Sequence, residues 1–350
     1  MNHTFFRAYY LFIPVVLFFT LFLFDKIFGT MPIRKLTETR IEFSFYDEKK
    51  NLLTQIKKYN SERTKDDSLL VLFGTSHMGE FSTQYISKKI KGLTTYNFSA
   101  PMASPSFLYY WFQKLHSEKI HIDYAVLEIV PEMFTDNANN YALKFSYDWN
   151  FMFRHRDFFT LKDLESFAVA NLFDSIRFPF HGMTAIERIK SSGTTNQLEF
   201  LQSMVHLATV KNNGGIPNPI LHEVPETYLE RESKDYFKKN FTNFKTSTTQ
   251  DKFYSEFLKF ASENNIKVLV YKPLVSPYLQ AILNSEKFYS DWENEKYKIA
   301  DTYKMRILNL SEKEKNIQCK KFVDVHHLSG GCYNEVTDIL LSTIFPKKNQ

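Results

Sequence analysis

The sequence predicts an α/β fold: a three-layer α/β/α sandwich around a central parallel sheet, tethered by one N-terminal transmembrane helix. Three observations lead there. Short apolar runs at residues 69–73, 124–130 and 267–271 have the length of strands buried on both faces of a parallel sheet. Helical segments alternate with them, the pattern of right-handed βαβ units. The third is residues 9–24, an uncharged, almost wholly apolar run that approaches the ~20 residues needed to cross a bilayer.

The bulk numbers bound the answer. A chain of 350 residues suits one large α/β domain or two modest ones. With 24% charged and 43% hydrophobic residues, a disordered chain is excluded. The 35 Phe and 20 Tyr read as core and membrane-interface material. A net charge of +5 without a long basic tract argues against a nucleic-acid partner and allows only mild attraction to anionic lipid headgroups.

Taken in order, residues 1–30 form the anchor. Pro14 is tolerable inside it, because membrane helices re-satisfy freed backbone groups. A cleavable signal peptide would need a small-x-small site after the apolar run, where Asp25-Lys26-Ile27-Phe28 stands instead. Basic residues flank both ends, Arg7 before and Lys26, Arg34 and Lys35 after, and their count slightly favours the bulk of the chain inside. Residues 31–67 read as a charged, mostly helical spacer. Residues 68–346 form the α/β domain: a strand at 69–73, a helix at 78–90, a strand at 94–98, a helix at 106–117 and a strand at 124–130 stopped by Pro131. From about 133 to 246 the rhythm is lost, which predicts a largely helical insertion over the carboxyl edge of the sheet. The alternation resumes with a helix at 250–264, a strand at 267–271, a helix at 291–303, a strand at 306–310 and a closing helix at 334–344.

The chemistry centres on Gly74-Thr75-Ser76. Gly74 allows a sharp turn after the strand, and a serine there points into the crevice where open α/β sheets bind ligands. A plain helix N-cap is the competing reading of Ser76. Gly74 and Gly79 have phosphate-loop spacing, but Glu80-Phe81 follow where Lys and Ser/Thr are required, and an acidic residue would repel phosphate. Asp324 and His327 stand three apart late in the chain. A serine hydroxyl needs a base to take its proton, and the base needs a carboxylate to hold one tautomer. An Asp-x-x-His turn supplies both; His326 is the nearest rival and its spacing fits less well. His155-Arg156-Asp157 echoes a kinase catalytic loop, but neither a glycine-rich loop nor Asp-Phe-Gly accompanies it. Cys319 and Cys332 lack metal-site spacing. Two separate buried thiols is the expected state; in a domain outside the cytoplasm the alternative is a disulfide closing a loop around Asp324 and His327.

Gly74-Thr75-Ser76 after the first strand, with Asp324-x-x-His327-Leu328 before the last helix, resembles the SGNH/GDSL hydrolase superfamily. Its membrane-anchored branch is similar too: the D-alanyl transfer proteins of teichoic-acid D-alanylation, in which a Pro-Gln-Trp-Phe-like step corresponds to Pro131-Glu132-Met133-Phe134, and the SGNH proteins that O-acetylate alginate. The resemblance implies Ser76 as nucleophile, His327 as base and Asp324 as its orienting acid, with no metal or other cofactor. It also implies an outward-facing, periplasmic-side domain acting on an acylated carbohydrate or cell-envelope polymer, working with an integral-membrane O-acyltransferase. One departure stands out: the amide that donates to the oxyanion after the third strand is missing, Glu128-Ile129-Val130 standing there. Backbone N–H groups of Ser76 and of the residue 100–104 loop, with Asn97 or Ser99, are the substitutes; a turn-stabilising role is the competing reading of Asn97. The expectation is therefore a serine esterase or O-acyltransferase. A catalytically inactive scaffold and a cytoplasmic-facing lipase-like hydrolase are the alternatives.

Overall fold

The computed structural model describes residues 3–37, 42–191 and 197–346; parts of the anchor, spacer and insertion segments (1–2, 38–41, 192–196) lie outside it. Five strands, β1 (Ser68–Phe73), β2 (Leu93–Asn97), β3 (Tyr124–Glu128), β4 (Lys267–Lys272) and β5 (Arg306–Asn309), form one parallel sheet in the order β2-β1-β3-β4-β5. Leu69 to Phe73 are fully buried, as an unbroken apolar run covered on both faces demands. Each such side chain contributes on the order of 1.5–3 kcal/mol.

Helices cover both faces. On one, Phe112 of Pro105–Ser117 stacks on Phe257 of Thr248–Glu263 at 4.3 Å, and Phe73 meets both edge-on. On the other, Phe81 packs against Tyr271 and Tyr333, under the helices Thr83–Lys89 and Tyr333–Ile344. The three-layer α/β/α architecture is thus present. Because β1 lies between β2 and β3, the chain leaves β1 in opposite directions along the sheet. The carboxyl ends of β1 and β3 adjoin at the topological switch point, where open α/β sheets bind ligands.

Three expectations are corrected. The segment at 78–90 is two helices, Ser76–Gly79 and Thr83–Lys89, because Ser82 caps the second by accepting from the Tyr85 N–H (3.2 Å). Much of the spacer is core: Leu52 and Ile56 of the helix Lys49–Glu62, four apart on one stripe, are fully buried. Cys319 and Cys332 are not free thiols; they form a disulfide with Cα atoms 5.3 Å apart, closing the loop that bears Asp324 and His327.

From Phe12 on, the N-terminal helix His3–Asp25 has its apolar surface in the open: Phe12–Gly29 has a mean hydropathy of 2.0 with 6% of the window buried, long and apolar enough to span a membrane. The insertion is helical and folds back over the carboxyl edge of the sheet. Its Val224 N–H donates to the Phe322 carbonyl, and its Asn213 carbonyl accepts from the Asn97 N–H at the end of β2.

Candidate active site

β1 delivers the turn that carries Ser76. Any side chain at Gly74 would collide with the Glu128 carboxylate and the Met78 Cβ, so glycine is required for β1 and β3 to bring these groups together. Ser76 then opens a short helix whose first N–H groups have no intrahelical partner. The late loop supplies the rest. Asp324 Oδ1 accepts from the backbone N–H groups of His326 (2.9 Å) and His327 (2.7 Å), forming a tight turn that aims the carboxylate at the His327 ring.

The three side chains singled out from the sequence meet. Ser76 Oγ lies 2.7 Å from His327 Nε2, and His327 Nδ1 lies 2.8 Å from Asp324 Oδ2, although 251 positions separate serine and histidine. In this geometry His327 donates from Nδ1 to the carboxylate, leaving its Nε2 lone pair to accept the serine proton. Burial opposes the ionisation of Asp324, but the hydrogen bond and positive charge offered by His327 outweigh it and hold the Asp324 pKa well below the carboxylate range.

A second, fully buried layer sits behind the triad, and the sequence reading missed it. His77 Nδ1 lies 2.8 Å from Glu128 Oε1 and 2.9 Å from the Thr75 hydroxyl, while its Nε2 lies 2.8 Å from the His326 carbonyl. Thr75 already donates its O–H to Glu128 Oε1 and its N–H to Oε2. Both ring nitrogens of His77 therefore face acceptors, and both must carry protons. Burial pushes the His77 pKa down, but the Glu128 carboxylate overrides it and the net shift is upward. For Glu128, burial pushes up while His77 and Thr75 pull further down. The pair is an imidazolium–carboxylate couple that ties the Ser76 turn, β3 and the Asp324–His327 loop into one body. The His77 ring centroid lies 4.6 Å from that of His327.

His326, the rival base, turns away from Ser76. Its ring stacks on Tyr236 of the insertion helix Glu226–Phe241 at 4.8 Å, and its pKa is pushed down to about 3 by burial and by the neighbouring His327 and His77. Tyr236 in turn donates to Glu132 at 2.7 Å, and burial raises the Glu132 pKa. Asp324, His326 and His327 offer ligand atoms close enough for a metal ion, but Ser76 and Asp324 already occupy both His327 nitrogens.

Ser76 opens on a cleft of about 140 Å³ lined by Phe45, Glu80, Ser99, Pro101, Gly214 and Ile216, among others. Asn97 is not among its lining residues: the fully buried amide donates to the Met78 carbonyl (2.7 Å) and accepts from the Ser99 N–H (3.0 Å), so it braces the turn. In the 100–104 loop, the Ala100 and Ala103 N–H groups are spent on the Gly74 and Ala100 carbonyls. Ser76 and Ser99 are both among its lining residues, as is the half-buried Glu80, whose carboxylate accepts from the Asn218 N–H. His155 lies far from this chemistry, packed among Tyr109, Phe151 and Phe253 with its pKa lowered to about 4 by burial.

No curated protein matches the chain. A family model described as a protein of unknown function, DUF1574, matches residues 5–344, nearly the whole length, and the chain belongs to that family.

Proposed function

We propose that this protein is a membrane-anchored serine esterase or O-acyltransferase of SGNH type that acts on an acylated carbohydrate or cell-envelope polymer outside the cytoplasm. One observation carries the reading: the serine at the carboxyl end of β1 and the Asp-x-x-His turn before the last helix are within hydrogen-bond reach of one another in triad order. In this mechanism His327 Nε2 takes the proton as Ser76 Oγ bonds to the acyl carbon. The tetrahedral oxyanion is met by the Ser76 N–H and the Ser99 hydroxyl. Asp324 stabilises the imidazolium, which then returns its proton to the departing alkoxide. Water or an acceptor hydroxyl, deprotonated in its turn by His327, breaks the acyl-serine ester.

The disulfide supports an oxidising compartment and hence an outward-facing domain, against the weak opposite bias of the flanking charges. An integral-membrane O-acyltransferase as partner follows from the resemblance to the polysaccharide-acetylating proteins.

The test is labelling by a fluorophosphonate. Labelling of the wild type that vanishes in Ser76→Ala supports the enzyme; an unlabelled wild type supports a non-catalytic scaffold. The scaffold reading draws on one specific observation: among the described residues lining the cleft, none carries an amide side chain to hold an oxyanion, and each missing donor costs about a hundredfold or more in rate. Protease accessibility in intact cells decides the side of the membrane.

A further inference from the structure

The end of the anchor helix is fastened to the insertion by polar as well as apolar contacts. Asp25, its last residue, accepts from the backbone N–H groups of Asp174 (2.5 Å) and Ser175 (3.0 Å). Lys26 Nζ donates to the Leu172 carbonyl at 2.6 Å, closing the helix Leu161–Leu172. Phe22 meets Phe173 and Phe28 meets Phe180, each at 6.0 Å. Two residues beyond Phe180, the helix Gly182–Lys190 lies along Met31–Thr37, with Ala185 buried and Arg188 donating to the Lys35 carbonyl at 2.7 Å. This inward face leaves Met183, Ile186 and Ile189, spaced by three, 71%, 47% and 63% exposed, and Phe180 is 54% exposed beside them.

We propose that the face of Phe180, Met183, Ile186 and Ile189 lies in the headgroup region of the bilayer that the anchor helix crosses. An apolar patch this concentrated is a liability in water. Phe180 packs on Phe28, just past the end of the anchor helix, and the helix Gly182–Lys190 lies along Met31–Thr37, so the patch stands next to where that helix ends. Lys190 stands exposed at the end of the helix beside it, a cation of the kind that interfacial helices place at the headgroups. The bilayer is favoured over a protein partner by this continuity with the anchor. A groove of about 970 Å³ extends from Ile176, beside the patch, to Met102, whose loop also lines the Ser76 cleft, so a docked insertion would present the site at the lipid surface. The inference depends on the anchor spanning a membrane and not on the serine chemistry.

The test uses the full chain, one copy per lipid nanodisc of phosphatidylcholine and phosphatidylglycerol. Both native cysteines are paired, so a nitroxide can be placed on Met183→Cys, Ile186→Cys or Ile189→Cys. Leu21→Cys in the anchor and Asp301→Cys on the helix beside β5 give the hydrocarbon and aqueous references. The expected result at all three positions is an oxygen-to-nickel-complex accessibility ratio several-fold above that at Asp301 and below that at Leu21. A ratio equal to the Asp301 value places the face in water and overturns the proposal. Exclusion of both reagents means the face is covered by protein and overturns it equally. Each labelled chain is checked by its thermal transition against the wild type, so that only folded variants are read.

Discussion

His77 and Glu128 form a buried ion pair one residue from Ser76, and the His77 Nε2–H reaches across to the His326 carbonyl. The pair joins the two halves of the candidate site, so its charges are expected to matter for the fold before they matter for chemistry. Glu128→Gln leaves an imidazolium without its counter-charge in a dry interior. Breaking a buried pair this way costs about 3–5 kcal/mol. A fall in unfolding free energy below about 1 kcal/mol in denaturant titration would show that the pair is not buried as described.

Asp324→Asn keeps the turn but offers His327 an amide in place of a carboxylate. The imidazole then loses the tautomer that leaves Nε2 free to accept. If the protein is an esterase, hydrolysis of an activated ester should fall by a thousandfold or more, towards the Ser76→Ala floor. Melting temperature should change little, since Asp324 is a third exposed. A variant with near wild-type turnover would remove Asp324 from the mechanism.

The disulfide closes a short loop, 13 positions from Cys319 to Cys332. Constraint of the unfolded chain by a loop of this size is worth about 3 kcal/mol. Cys319→Ser with Cys332→Ser is expected to lower the melting temperature by several degrees. It should reduce fluorophosphonate labelling more than stability, because Asp324 and His327 ride on that loop. Thermal shift with and without dithiothreitol checks the first point. Labelling kinetics well below the melting transition check the second.

Lys49 gives the pH dependence a sign. Its side chain is buried, donates to the Asn97 carbonyl at 3.3 Å, and burial lowers its pKa to about 7 from an ordinary 10.5. Between those values the unfolded chain binds the proton and the folded one does not. Unfolding free energy from this group therefore rises with pH, by about 1.4 kcal/mol per unit. His77 acts in the opposite sense: its raised pKa contributes stability below its unfolded value, lost as pH rises through the folded one. Lys49→Met should remove the climb between pH 7 and 9 and raise stability at pH 7. An unchanged pH profile in the variant would mean that Lys49 stays charged in the fold.

The strands were legible in the sequence because burial on both faces leaves no other composition open to them. The apolar run ending at Phe73 and the one starting at Lys267 appear within a residue of their expected bounds. The meeting of Ser76, Asp324 and His327 was legible because the proposed chemistry asks for particular residue types at particular turns. Asn97 stood open between two readings, because an amide beside this turn serves equally well as donor or brace, and the positions of Met78 and Ser99 distinguish the two.

The chain by itself determined the parallel sheet, the apolar N-terminal helix and which side chains can do serine chemistry, since these rest on local periodicity and functional-group type. The tertiary structure alone decided that His77 pairs with Glu128 as a cation, that the two cysteines are joined and that the insertion is fastened to the N-terminal helix. Each of these depends on which groups meet in space, or on burial, and neither is written in the spacing of the residues themselves.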